Sequence, residues 1–224
     1  MKNNLKWITA AVSTVLTIVL IILIKLVDVD SIGPEGTSIG LSHINHAVND
    51  AFGTSAFWYE VTEILGIIAI LTALAFAFIG FRQLIKRKSL TKVDKEIYAL
   101  AGLYVVVIGL YAFFEIVVIN YRPMIMQGEE HVEASFPSSH TMLVCTIMGS
   151  AFMVMSRYVK DESICRALRT ICMAATGLMI IGRLVCGVHW LTDIIGGILI
   201  SSALLMIFSI VLDAFEDKDI LKSA

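Results

Sequence analysis

Charge is scarce in this chain of 224 residues. Asp, Glu, Lys and Arg make up 16% of it, well below the roughly 25% of soluble domains and too little to cover a surface in water. No basic stripe is present, and a formal net charge of −2 gives no reason to expect a nucleic-acid partner. Cysteines number four, Cys145, Cys165, Cys172 and Cys186. Their spacing fits neither a disulfide framework nor a metal site, so they read as small apolar residues. Internal repeats, low-complexity tracts and linkers are also missing, which predicts a single domain over 1–224. What the chain has in abundance is apolar side chains, 58% of the total. The solvent that suits such a composition is lipid.

Uncharged runs long enough to cross a bilayer recur at 7–24, 64–81, 97–114, 141–156 and 194–212, with a further run at 170–188 broken by Arg183. The third is expected to continue past Glu115 to Ile119. Backbone polar groups within hydrocarbon must satisfy one another, so each run predicts a helix and the whole predicts an all-α bundle of six transmembrane helices. The first run is too long for a usual signal-peptide core and has no small-x-small site directly after it, so it reads as a retained helix. Orientation follows from Lys and Arg. Segment 27–63 carries none, 82–96 carries six, 120–138 carries only Arg122 and 157–169 carries four. This alternation predicts cytoplasmic termini, with 27–63, 120–138 and 189–193 facing outward.

In the first outer segment, Leu41, Ile44, Val48 and Phe52 share a helical face, which predicts a short helix on the membrane surface. His43 and His46 stand at metal-ligand spacing, but no third ligand is evident, and they read as that helix's polar face. Elsewhere, ionisable residues at the ends of membrane helices are functional candidates. Glu115, Arg122, His140, Arg183, His189 and Asp193 all fall toward the outer side in this topology. His189 and Asp193 are four apart, so a helix beginning near His189 would stack them. The carboxylate could then hold one imidazole nitrogen and leave the other as a nucleophile or base; the alternative is a capping Asp beside an interfacial His. Arg122 and Arg183 suit bidentate contacts to phosphate, or they snorkel to the interface. In "FPSSHTML", 136–143, Pro137 and Ser138 or Ser139 can start a helix whose free N–H groups bind an anion, with His140 as a proton donor beside it; an ordinary cap is the alternative.

Three segments together carry a resemblance: "EIVVINYRP" at 115–123, "PSSH" at 137–140 and "GRLVCGVHWLTD" at 182–193. They resemble the motifs Lys-x6-Arg-Pro, Pro-Ser-Gly-His and Ser-Arg-x5-His-x3-Asp of the type 2 phosphatidic acid phosphatase superfamily of integral-membrane lipid phosphatases. The resemblance implies a phosphohistidine mechanism. His189 would be the nucleophile, Asp193 its orienting partner and His140 the acid on the leaving group. Arg122, Arg183, Ser138 and the backbone near Ser139 would hold the phosphoryl oxygens. It also implies no cofactor and no metal.

Three positions depart from those motifs. Ser139 replaces a Gly, Gly182 replaces a Ser, and Glu115 stands where the motif has Lys. Glu115 is expected to pair with Arg122 or Arg183, since a buried unpaired carboxylate is costly; helical spacing would put it on nearly the same face as Arg122.

The expected protein is a multi-pass plasma-membrane phosphatase acting on a lipid phosphomonoester or diphosphate at the extracytoplasmic face. Polyprenyl diphosphates such as undecaprenyl diphosphate, phosphatidic acid and phosphatidylglycerol phosphate are the candidate substrates. A lipid phosphotransferase and a catalytically impaired lipid-phosphate binder are the alternatives. Gly196, Gly197, Ser201 and Ser202 could support close helix contacts, within the bundle or in a homo-oligomer.

Overall fold

The computed structural model describes residues 2–223, with side chains over 3–215. Seven α-helices follow one another: α1 Lys2–Leu26, α2 Ser42–Phe52, α3 Ala56–Arg87, α4 Lys95–Ile116, α5 Ser139–Tyr158, α6 Glu162–Val185 and α7 Leu191–Ser223. Among the described residues no β-strand forms, only isolated bridges at Asp30–Ile39 and Tyr121–Ala134. All the helices except α2 are long and apolar enough to cross a membrane. The fold is the expected all-α bundle of six spans.

α5 is the axis. Val144, Met148, Ala151 and Val154 bury against α3, α4, α6 and α7. It is also the least apolar of the six, because protein rather than lipid surrounds it. The outward faces of α1, α3 and α4 expose large apolar residues such as Leu16, Leu71 and Ile108, as lipid contact requires. The small residues of α7 work inside the bundle. A Cβ on Gly196 would overlap the Phe136 ring, and one on Gly197 would lie 3.1 Å from the Ser138 carbonyl. Ser201 Oγ donates to the Met142 carbonyl at 3.0 Å, and Ser13 donates to Ser202 at 3.3 Å.

Several boundaries differ from the sequence reading. α4 stops at Ile116 instead of running to Ile119. The chain beyond it is taken up in a short hairpin, where Arg122 N–H donates to the Glu133 carbonyl at 3.0 Å and Ser135 N–H to the Asn120 carbonyl at 2.9 Å. Asp161 caps α6 by accepting the Ile164 N–H at 2.9 Å, so α6 begins before the apolar run at 170–188 and Cys165 lies buried within it. α6 ends at Val185 because Gly187 turns with φ +72, a conformation suited to glycine. α3 begins two turns before the apolar run at 64–81, capped by Ser55.

α2 lies across the loop-rich end with Ile44 and Phe52 exposed. It buries the polar residues Ser42 and Asn45. Asn45 Nδ2 donates to Thr192 Oγ1 at 3.0 Å, and Thr192 N–H donates back to Asn45 Oδ1 at 3.2 Å, which ties α2 to the start of α7. The α1–α2 elbow is closed by Asp28. Its carboxylate accepts the His43 backbone N–H at 2.8 Å and the Ser42 hydroxyl at 3.0 Å, and it pairs with His43 Nδ1 at 2.5 Å. The sequence shows His43 and His46 without a third ligand. The fold brings Asp28 and Asp30 to His43, while His46 pairs with Asp50.

The bonds to His43 hold the Asp28 carboxyl below its ordinary 3.8, and Asp28 in turn raises the His43 imidazole above 6.5. A raised imidazole stabilises the fold fully below its unfolded value, and that contribution is lost as pH rises through the folded value. A lowered carboxyl acts in the opposite sense, losing its contribution as pH falls through its folded value below 3.8. The elbow is therefore held most firmly between these limits. Hydrogen-exchange protection of the His43 amide, corrected for intrinsic rates, should fall as pH rises beyond the folded His43 value. In His43→Gln this alkaline dependence should disappear.

Candidate active site

At the loop-rich end the bundle carries a cavity of about 530 Å³. α3 lines it with Tyr59 and Glu63, the hairpin with Arg122 and Glu133, α5 with His140, and α6 with Arg183. Beside it lies a smaller recess lined by Glu115, Arg122, Ser139 and His189. Arg122 borders both.

His189 sits in the α6–α7 turn, two residues before α7, and is not on the helix. Its ring is almost fully enclosed, and neither nitrogen has a hydrogen-bond partner among the described residues. Asp193 Oδ2 lies 3.6 Å from His189 Nδ1, within ion-pair range but beyond a hydrogen bond. The same oxygen accepts the Trp190 N–H at 2.9 Å. Trp190 Nε1 donates to the Tyr121 carbonyl at 2.6 Å, which fastens the turn to the hairpin that carries Arg122. Burial, reinforced by the positive charges of Arg122 and Arg183, holds the His189 imidazole well below its ordinary value of 6.5. A neutral imidazole with a free lone pair results, the form a nucleophile needs.

Arg183, in the last turn of α6, is 1% exposed. Its Nη2 donates to Glu63 Oε1 at 3.0 Å, and its Cζ lies 5.5 Å from the Tyr59 ring centroid. Nε and Nη1 remain without partners among the described residues. A Cβ on Gly182 would collide with Thr62, so glycine there lets α3 approach α6 closely. Arg122 Nε lies 3.1 Å from Glu133 Oε2 without hydrogen-bond alignment. His140, in the first turn of α5, has Nε2 3.1 Å from Glu63 Oε1 and a buried Nδ1 without a partner among the described residues.

Ser138 is fully buried. It accepts the Thr141 hydroxyl at 3.0 Å and caps the Thr141 N–H at 3.5 Å, while its own N–H goes to the Asp193 carbonyl at 3.0 Å. Its side chain is committed to the helix cap. The N–H groups of Ser139 and His140 carry no backbone partner among the described residues, as expected of a helix start. Ser139 itself lines the recess, and its φ is not positive, so serine fits where the motif has glycine.

Two expectations need correction. Arg122 lies beyond the end of α4, so helical spacing does not relate it to Glu115. Glu115 is exposed, and among the described residues it forms no ion pair with Arg122 or Arg183. The carboxylates beside the two guanidinium groups are Glu133 and Glu63. Neither was singled out in the sequence. Glu63 stands immediately before an apolar run and reads there as the last residue of a loop.

Buried polar atoms are normally paired. Among the described residues, unpaired buried atoms occur on Arg122, Arg183, His140, His189 and Asp193 around this site, and elsewhere on Thr146, Tyr158 and Arg169. Two cations, two imidazoles and an open helix start at one end of a membrane bundle make a site chemically suited to hold an anionic group such as phosphoryl. Residues 113–216, just under half of the chain, match the family model described as the PAP2 superfamily, and all the sequence-predicted site residues fall within that stretch. The chain is also similar in structure to a crystal structure described as the first transmembrane PAP2 type phosphatidylglycerolphosphate phosphatase from Bacillus subtilis. The two share 18% identity with a TM-score of 0.58, over 94% of this chain and 96% of that one. Among curated proteins, none matches by sequence. The family match covers the part of the chain that carries the candidate site, and the structural match shows a shared fold.

Because Glu115 is exposed and holds neither guanidinium, Glu115→Gln should change unfolding stability by no more than about 0.5 kcal/mol, as for other surface changes. Thermal unfolding in detergent would measure this. A large loss would mean that Glu115 has a structural partner after all.

Proposed function

We propose that the protein is a lipid phosphatase that hydrolyses a phosphomonoester or diphosphate through a phosphohistidine at the extracytoplasmic face. The observation that carries this reading is the convergence of Arg and His side chains and helix-start donors around the cavity and its adjoining recess. The family match supports phosphatase chemistry in general, and the relative in Bacillus subtilis is described as acting on phosphatidylglycerolphosphate. The Lys and Arg pattern of the loops supports the outward orientation.

In this mechanism the substrate phosphoryl group lies between Arg122, Arg183 and the N–H groups of Ser139 and His140. The neutral His189 attacks phosphorus in line with the leaving oxygen, and His140 protonates that oxygen. Water then attacks the phosphohistidine, His140 accepts its proton, and phosphate leaves. Asp193 balances the charge that develops on His189. Phosphoryl transfer depends mostly on positioning and charge stabilisation, and two guanidinium groups with a helix start can supply both. The reaction is proposed to be metal-independent. The candidate substrates are polyprenyl diphosphates, phosphatidic acid and phosphatidylglycerol phosphate, whose headgroups would reach this depth with their tails in lipid.

Purified protein should release phosphate from at least one of these lipids in the presence of EDTA, and His189→Ala should reduce release by at least about 10³-fold, as removal of a nucleophile does. Equal release by protein and variant, or none by either, would overturn the reading. A second expectation concerns pH. Because His189 is held well below 6.5, it stays unprotonated as pH falls from 7 to 6. The kcat/KM profile should therefore show no acid limb centred at the ordinary imidazole value.

A further inference from the structure

We infer that Glu63 is a positioning residue, a carboxylate anchored by Arg183 that fixes which nitrogen of His140 exchanges protons with the substrate. The inference rests on the phosphatase reading and adds a residue to it. One oxygen makes both contacts. Glu63 Oε1 lies 3.1 Å from His140 Nε2 and accepts Arg183 Nη2 at 3.0 Å. The face of α3 is shaped for this bridge. Gly66, one turn beyond Glu63, lets α3 pass so close that a Cβ there would lie 3.2 Å from His140 Cδ2. Tyr59, one turn before, faces Arg183.

The atoms that Glu63 leaves alone are informative. Among the described residues, His140 Nδ1 and Arg183 Nε and Nη1 are buried and without partners. The bridge occupies one edge of each group, and in the proposed reaction the other edge would meet the substrate. A carboxylate can only accept, so it favours a hydrogen on His140 Nε2 in both protonation states. In the imidazolium, Nδ1 also carries a hydrogen. During the first step the His189 N–P bond forms, the P–O bond to the leaving group breaks, and the Nδ1 proton passes to the leaving oxygen. His140 is then neutral, with Nε2–H still held by Glu63 and a lone pair on Nδ1. In the second step the water O–P bond forms, the P–N bond breaks, and a water proton returns to Nδ1. A carboxylate on Nε2 keeps Nδ1 as the exchanging atom throughout. An Asp that orients a catalytic imidazole in a hydrolase triad works by the same physics.

The test uses leaving groups. An alkyl phosphate, such as a lipid phosphomonoester, needs its leaving oxygen protonated, whereas p-nitrophenolate departs without help. Glu63→Gln places an amide that can donate to Nε2 and so favours the wrong tautomer. Its kcat/KM, which reports the leaving-group step alone, should fall by about 10²-fold on a lipid phosphomonoester, the lower end of a general acid's contribution. Its kcat/KM on p-nitrophenyl phosphate should fall at least about 10-fold less than that. Glu63→Asp, which keeps the acceptor, should recover part of the lipid activity. Equal losses on both substrates, or no loss on either, would overturn the inference while leaving the phosphatase reading intact. If Glu63→Gln does not fold, as judged by thermal unfolding, the comparison passes to Glu63→Asp, where an equal loss on both substrates would overturn it too. If the unaltered protein is inactive on every substrate, the phosphatase reading itself fails, and this inference with it.

Discussion

A guanidinium cannot shed its charge, and Arg183 is buried at the end of a membrane helix. Much of the site's architecture answers that constraint. A compensating anion must come from a neighbouring helix, and it comes from Glu63. To deliver it, α3 extends beyond its apolar run and packs against α6 through Gly182. Once the carboxylate is there, its oxygen also reaches His140 on α5. Three helices are thereby registered to one another by a single oxygen. A buried pair of this kind gives little net stability, but breaking it leaves a charge uncompensated, so it specifies alignment more than it adds strength.

Lipid sets the second constraint. Helices in a bilayer are not pushed together by water, so they associate through close packing and polar contacts. The α5–α7 seam shows both. Gly196 and Gly197 let the Phe136 ring and the start of α5 come down onto α7, and Ser201 bonds across to the Met142 carbonyl. This closeness places the Ser138 N–H on the Asp193 carbonyl, which sets the α5 helix start beside the turn that carries His189. The spacing of the candidate site is thus a consequence of small residues in the second turn of α7.

The sequence made some of this legible and hid the rest for physical reasons. Spans could be read because apolar runs are long and loop charges alternate. Arg183, His189 and His140 stood out because ionisable groups are rare beside such runs. Their gathering at one end follows from topology alone. Glu63 was hidden because hydropathy locates the apolar stretch of a helix, whereas α3 continues into the polar zone. The Glu115–Arg122 relation was misread because helical spacing was extended past Ile116, where the chain turns into a hairpin. Glu133 pairs with Arg122 across that hairpin, and no periodicity in the sequence announces such a contact. Asn45 on α2 was equally silent, since its partner Thr192 lies on another helix and is set only by the tertiary fold.

Two carboxylates beside two arginines at an anion site look self-defeating, because Glu63 and Glu133 offset the charge that would draw a phosphate in. The offset has a use if binding energy is to appear in the transition state rather than the ground state. A strongly positive cavity would hold substrate and inorganic phosphate alike, and product would leave slowly. With Glu63, Glu129 and Glu133 set against two arginines, the cavity of the proposed phosphatase would leave ground-state attachment to the lipid tail. The N–H groups of Arg183 and the α5 start would then act where charge develops during transfer. Glu63 contributes on the second count as well, because a guanidinium pinned at Nη2 has less freedom to lose when its remaining donors engage the phosphoryl oxygens. The same side chain that makes burial of Arg183 tolerable thus prepares the arginine for its ligand.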